Sequence, residues 1–178
     1  MTADDVLDFW FADETQPKWF QSTPEFDNLI RERFGDLYQE AAAGGLDGWM
    51  ESPRSALARI IVFDQFSRNL FRNDRRAFAT DGLAVDAAHE AVDKKFDAAL
   101  AAEMRKFLYM PFMHSENLAD QDRGLPLFVA LNDAETIESA KHHRDIIARF
   151  GRFPHRNAVL GRTSTAEEQA SAEINNPF

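Results

Sequence analysis

Apolar residues recur at intervals of three and four along almost the whole chain, and nowhere do they alternate with polar residues between Asn-Gly or Asp-Gly turns. No strand is expected on that pattern. Helix starts are well marked. Thr23-Pro24 and Ser52-Pro53 each set a capping hydroxyl before a proline, whose missing N–H costs nothing at the first helical position. Asn132 with Glu135, and Thr165 with Glu168, have the spacing of capping boxes. Helices are predicted over 3–12, 24–43, 53–71, 78–94, 100–110, 121–131, 134–150 and 164–174, with Pro111 ending or kinking the fifth and 151–163 a loop. Connections are short, and no linker, low-complexity tract or helical-repeat consensus interrupts the 178 residues. The expectation is one all-α domain over residues 1–178, with about seven to eight helices packed as antiparallel pairs.

Charge narrows the function classes. Thirty Asp and Glu against 20 Lys and Arg give a net charge of −10, which argues against nucleic-acid binding through clustered cations. The absence of cysteine removes thiolate chemistry and disulfides, and fits a reducing cytoplasm. No apolar run is long enough to span a membrane, and the acidic start Met1-Thr2-Ala3-Asp4-Asp5 is unlike a signal peptide. A cytoplasmic protein without a membrane partner is expected. Its oligomeric state is left open.

Candidate site residues are polar groups on apolar faces. Leu57, Ile60, Ile61, Asp64, Arg68 and Phe71 fall on one helical stripe, with Asp64 and Arg68 spaced i, i+4 so that their side chains meet. Desolvating such a pair is costly, so it either fixes helix register or serves a pocket in which Asp64 holds Arg68. Asn69 follows directly. His143 shares a stripe with Ala140, Ile147 and Phe150. His114-Ser115-Glu116 sets an imidazole beside a carboxylate that would raise its pKa towards neutrality, although Ser115 or Glu116 can equally cap the next helix.

The densest signal is Arg149 to Asn157, which contains Arg152, His155 and Arg156. From Lys141 to Arg162 there are six Lys or Arg and one acid, so this segment is +5 and the remainder −15. Arginine suits planar recognition of carboxylate or phosphate, yet these side chains can also simply neutralise acidic helices. Gly151 suits a left-handed helix end.

Other chemistries lack their signatures. His114, Glu116, Asp64 and His143 can be imagined as metal ligands, but no HExxH spacing occurs and nearby arginines repel cations, so no metal is expected. Phosphate-loop, dinucleotide and serine-hydrolase motifs are absent, so no cofactor is expected either.

Several blocks resemble an uncharacterised bacterial family known as domain of unknown function nine-two-four. They are Val6 to Phe11, Asp64 to Arg72, Ala77 to Asp81, Phe107 to Glu116, Arg149 to Asn157 and Leu160 to Arg162. The resemblance extends over about residues 6–168. It implies an all-helical architecture similar to tetratricopeptide arrays, and no established activity. Residues 172–178 are shorter and more polar than the family pattern, which predicts a loosely docked last helix.

Three readings follow. In the first, a pocket binds a small anion, carboxylate or phosphate, through Arg68, Arg152 and Arg156, oriented by Asn69 and Asn157. His114 with Glu116, or His155, moves a proton, and Asp64 and His143 complete the lining. In the second, a tetratricopeptide-like scaffold clamps a peptide or protein partner. In the third, the polar motifs are a buried network that only fixes the fold. The first is preferred.

Overall fold

The computed structural model describes residues 1–174 and the side chains of 1–171. The expectation about the extreme C-terminus therefore lies largely outside the described residues. Local chemistry starts the helices where the capping residues stand. Helix α1 (Ala3–Trp10) opens with a reciprocal Thr2–Asp5 box, α2 (Pro24–Ala42) with the Thr23 hydroxyl on the Phe26 N–H, and α3 (Pro53–Ile61) with Ser52 on the Ser55 N–H. After α3 the backbone widens into one π-helical turn, Val62–Phe66, before the short α4 (Ser67–Leu70). Then come α5 (Asp81–Asp93), α6 (Ala102–His114), α7 (Leu118–Leu131), α8 (Ala134–Phe150), α9 (Asn157–Leu160) and α10 (Ala166–Ile174). No strand occurs among the described residues.

Aromatic side chains build the core. Trp10, Phe34, Phe63, Phe66, Phe107 and Phe112 are fully buried, joining α1, α2, α6 and the π turn. Phe34 meets Phe66 at 4.6 Å and Trp10 meets Phe107 edge-on at 5.6 Å between ring centroids. Helices α6, α7 and α8 pack in series and turn back on one another through two- or three-residue connections. Gly124 permits the α6–α7 approach, since a Cβ there would stand 2.5 Å from that of Phe112.

Tertiary forces shift several boundaries. The predicted 53–71 helix carries the π turn, so it is continuous in path but not in hydrogen-bond register. Pro111 lies inside α6 without ending it, because every residue from Phe107 to His114 is buried and packing outweighs the lost hydrogen bond. Helix α5 starts at Asp81 rather than 78, after a 3₁₀ turn that Asp74 caps. Asn117 caps α7, which starts ahead of Gln121. Asp133, not Asn132, caps α8, because Asn132 takes the left-handed conformation (φ 56°) that closes α7. Gly151 closes α8 at φ 68° as its position suggests. The expected 151–163 loop contains a 3₁₀ turn and α9.

Candidate functional site

The π turn presents Asp64 to the interior. Its carbonyl accepts from Ser67 Oγ at 3.2 Å and Arg68 Nη1 at 2.5 Å, and the Phe63 carbonyl accepts from Thr80 Oγ1 at 2.8 Å. Side chains thus supply donors to this stretch, where the regular helical ladder is broken. The Asp64 carboxylate, 1% exposed, binds His114 Nδ1 at 2.7 Å, Gln65 Nε2 at 2.6 Å and Arg68 at 3.1 Å. The i, i+4 pair anticipated from the stripe therefore forms, with an imidazole added from the end of α6.

The network continues through Asp81. Arg68 donates to both of its oxygens, at 3.1 and 3.3 Å, and Arg156 Nη1 donates to Oδ2 at 2.9 Å. Arg156 Nη2 reaches back to the His114 carbonyl at 2.9 Å, and its guanidinium lies between the Phe78 and Phe153 rings at 4.5 and 4.7 Å. Residues distant in sequence, on the π turn, α4, α5, α6 and the segment before α9, thereby share one buried charge network.

Burial and charge set its protonation. Burial alone would raise the Asp64 carboxyl, but Arg68 and His114 hold it far below the ordinary carboxylate range. Burial lowers His114, and Arg68 and Arg156 add to this against the opposing pull of Asp64. Here the outcome differs from the expected rise, since desolvation outweighs the neighbouring carboxylate. A neutral His114 donates Nδ1–H to Asp64, because an ionised carboxylate only accepts, and its lone pair is then on Nε2. Burial likewise pushes His143 down to about 3 and His155 down to about 4. Burial depresses Arg156 to about 10, so it stays charged at neutral pH.

His114 borders two clefts. One, of about 530 Å³, includes Arg68, Arg72, Lys106, Asn69, Gln65 and His143 in its lining. Its cations are each paired with a carboxylate. Arg72 bonds Asp27 at 2.6 Å, Lys106 bonds Asp133 at 3.2 Å, and Arg68 bonds Asp64 and Asp81, while none of these carboxylates lines the cleft. Glu135 is the carboxylate among the lining residues. The other cleft, about 500 Å³, lies against Arg75, Arg76, Asp81, Ser115, Glu116 and Arg156.

The remaining candidates are dispersed around this centre. Asn69 donates its amide to Asp27 and Ser22, supporting the carboxylate behind Arg72. His143 Nδ1 bonds the Ser139 carbonyl at 2.7 Å, and its ring is 6.5 Å from that of His114. Glu116 does not pair with His114 as supposed. It accepts from both Arg162 terminal nitrogens, at 2.7 and 2.9 Å, and from the Phe153 N–H at 2.7 Å. Arg152 forms a two-point clamp on Glu168, at 2.6 and 2.9 Å, and lines neither cleft. Asn157 is fully buried and donates to Ser164 Oγ. His155 packs beside Phe153 at 5.5 Å.

Sequence reasoning did not single out Asp81, Asp27, Arg72 or Lys106. Asp81 reads as an ordinary acid in the first turn of a helix, and the others as solvated charges. Arg72 and Asp81 did stand in the motif blocks that carry the resemblance, and Glu168, the partner of Arg152, was marked by the Thr165 capping box, which is present at 3.1 and 2.7 Å. Among the described residues no group of three or more His, Asp or Glu side chains is gathered as a metal centre requires. No helix there is long and apolar enough to cross a membrane.

Fold and site define a helical protein with a charge network buried between two clefts. The chain belongs to a family of bacterial proteins of unknown function, DUF924, whose family model matches residues 6–174. It is similar to a solved protein of unknown function from Agrobacterium tumefaciens, ATU0120, with 42% identity, a TM-score of 0.92 and 97% of each chain covered. No curated protein matches it.

Proposed function

We propose that the 530 Å³ cleft binds a small anion, a carboxylate or phosphate, between Arg68, Arg72 and Lys106. The observation that carries this reading is the arrangement of those cations. They line the cleft, and each is paired with a carboxylate outside the lining (Asp27, Asp64, Asp81 or Asp133), so positive charge is held in place at low entropic cost. His114, at the border of this cleft, is oriented by its Nδ1 bond to Asp64. Arg152 and Asn157 line neither cleft and Arg156 lines the other one, so in this reading they serve as supports rather than ligand contacts. The bounded cleft favours a small molecule over a peptide laid on a tetratricopeptide-like scaffold. The buried Asp64–Arg68–Asp81–Arg156 network also gives weight to the structural reading, and the two are compatible.

Titration of the wild type with inorganic phosphate and acetate, read by calorimetry and thermal unfolding, tests the reading. Binding that raises the melting temperature is expected, since a ligand that binds only the native state stabilises it. Arg72→Ala and Lys106→Ala each weaken that binding about tenfold, the loss of one charge-assisted contact. No gain from any phosphate or carboxylate rules the reading out.

A further inference from the structure

We propose that the ligand of this cleft carries an aromatic body beside its anionic group. The inference rests on the anion reading and narrows it to one substrate class. Volume is the first reason. About 530 Å³ lies in the range of pockets that hold a small organic molecule, and far exceeds what a bare phosphate or acetate fills.

The chemistry of the walls is the second reason. Beside its cations the cleft is lined by Trp19, Phe20, Met110 and Met113. Trp19 and Phe20 come from the connection between α1 and α2. That connection is pinned. Trp19 donates its indole N–H to the Trp10 carbonyl at 2.9 Å, and its ring meets Phe107 at 4.6 Å and Phe11 at 5.7 Å between centroids. The aromatic wall is therefore pre-formed, which lowers the entropic cost of using it. Met110 and Met113 are buried and supply an adaptable, polarisable surface.

The third reason is the position of Phe20. It is 64% exposed, in contrast to the buried aromatics of the core, yet its ring lies parallel to Phe107 within 4°. Lys106 Nζ stands 5.4 Å from its centroid. Two residues later, Ser22 Oγ bonds Asp27, the carboxylate behind Arg72. A cation and an exposed aromatic face are thus adjacent, and the polar end of the cleft begins two residues away. An anion held by Lys106 and Arg72 sets whatever it is attached to against Phe20. An aromatic ring there gains both apolar burial and ring–ring contact, while a polar body leaves Phe20 exposed to water.

Calorimetry with four probes tests this: acetate, phenylacetate, benzyl alcohol and phenyl phosphate. Phenylacetate is expected to bind at least about tenfold tighter than acetate, as burial of part of a phenyl ring implies. Phenyl phosphate is expected to bind tighter than inorganic phosphate. In Phe20→Ala, which alters an exposed residue and leaves the core intact, the phenylacetate-to-acetate ratio falls towards one. Equal affinity of acetate and phenylacetate overturns the inference and leaves the anion reading standing. Equal affinity of phenylacetate and benzyl alcohol removes the anion reading, and the inference with it. So does failure of all four probes to bind.

Discussion

Arg68 and Arg152 each grip carboxylate oxygens, and each was visible in the sequence as a cation near an apolar face. Arg152 holds Glu168 at two points and the Thr163 carbonyl at 3.0 Å, and Glu168 leads on to the nearby Thr165 cap. Glu168 is covered by its neighbours but lies just beneath the surface. Arg68 instead joins Asp64 and Asp81, which lead on to His114 and Arg156, and this chain separates two clefts. The same guanidinium–carboxylate chemistry is a staple in one place and a framework in the other. Depth and connectivity decide which, because a pair near water exchanges one set of good partners for another, while a buried group that loses its partner has no substitute.

The largest effect expected is at the centre of the framework. Asp64→Ala leaves Arg68 and His114 without their shared carboxylate, and should lower unfolding free energy by about 3–5 kcal/mol in urea titrations. A loss comparable to that of an ordinary surface change would mean that the network is dispensable. Arg156→Ala removes hydrogen bonds to Asp81 and the His114 carbonyl and should cost about 2 kcal/mol, whereas Arg152→Ala should cost less. If the two variants unfold at the same urea concentration, the distinction between framework and staple fails.

Acid titration sharpens the comparison further. His143 and His155 have native pKa values near 3 and 4, well below the unfolded value of about 6.5, and His114 is lowered too. Unfolded chains therefore bind more protons as pH falls through 6.5, so stability should decline from pH 7 towards pH 4. Glu168, held near 2 by its hydrogen bonds to Arg152, stays ionised over that window, so the staple persists while the histidines are under strain. The double variant His143→Gln, His155→Gln should flatten the decline, as measured by melting temperature against pH. Below about 4.5 the depressed carboxylates, Asp27, Asp64 and Glu116, begin to lose their own contribution as well.

Helical class, most helix positions and the Asp64–Arg68 pair were legible in the sequence, because they depend on interactions three or four residues apart. Capping could be read at Thr23, Ser52 and Thr165 for the same reason, and misled at Asn132, where closing one helix competed with starting the next. The site was legible only in part. Asp64, Arg68 and His114 were named, but Glu116 finds Arg162 rather than His114, and Arg152 turns to Glu168. Asp81, at an ordinary helix start, became the hub between two arginines 88 residues apart in number, at 68 and 156. Local periodicity by itself determined that this protein is a helical domain with charge set into its core. Which charges meet, which of them face a cleft and which are simply fastened together were decided by tertiary packing, since Coulomb attraction and desolvation depend on distance and depth in space rather than on separation along the chain.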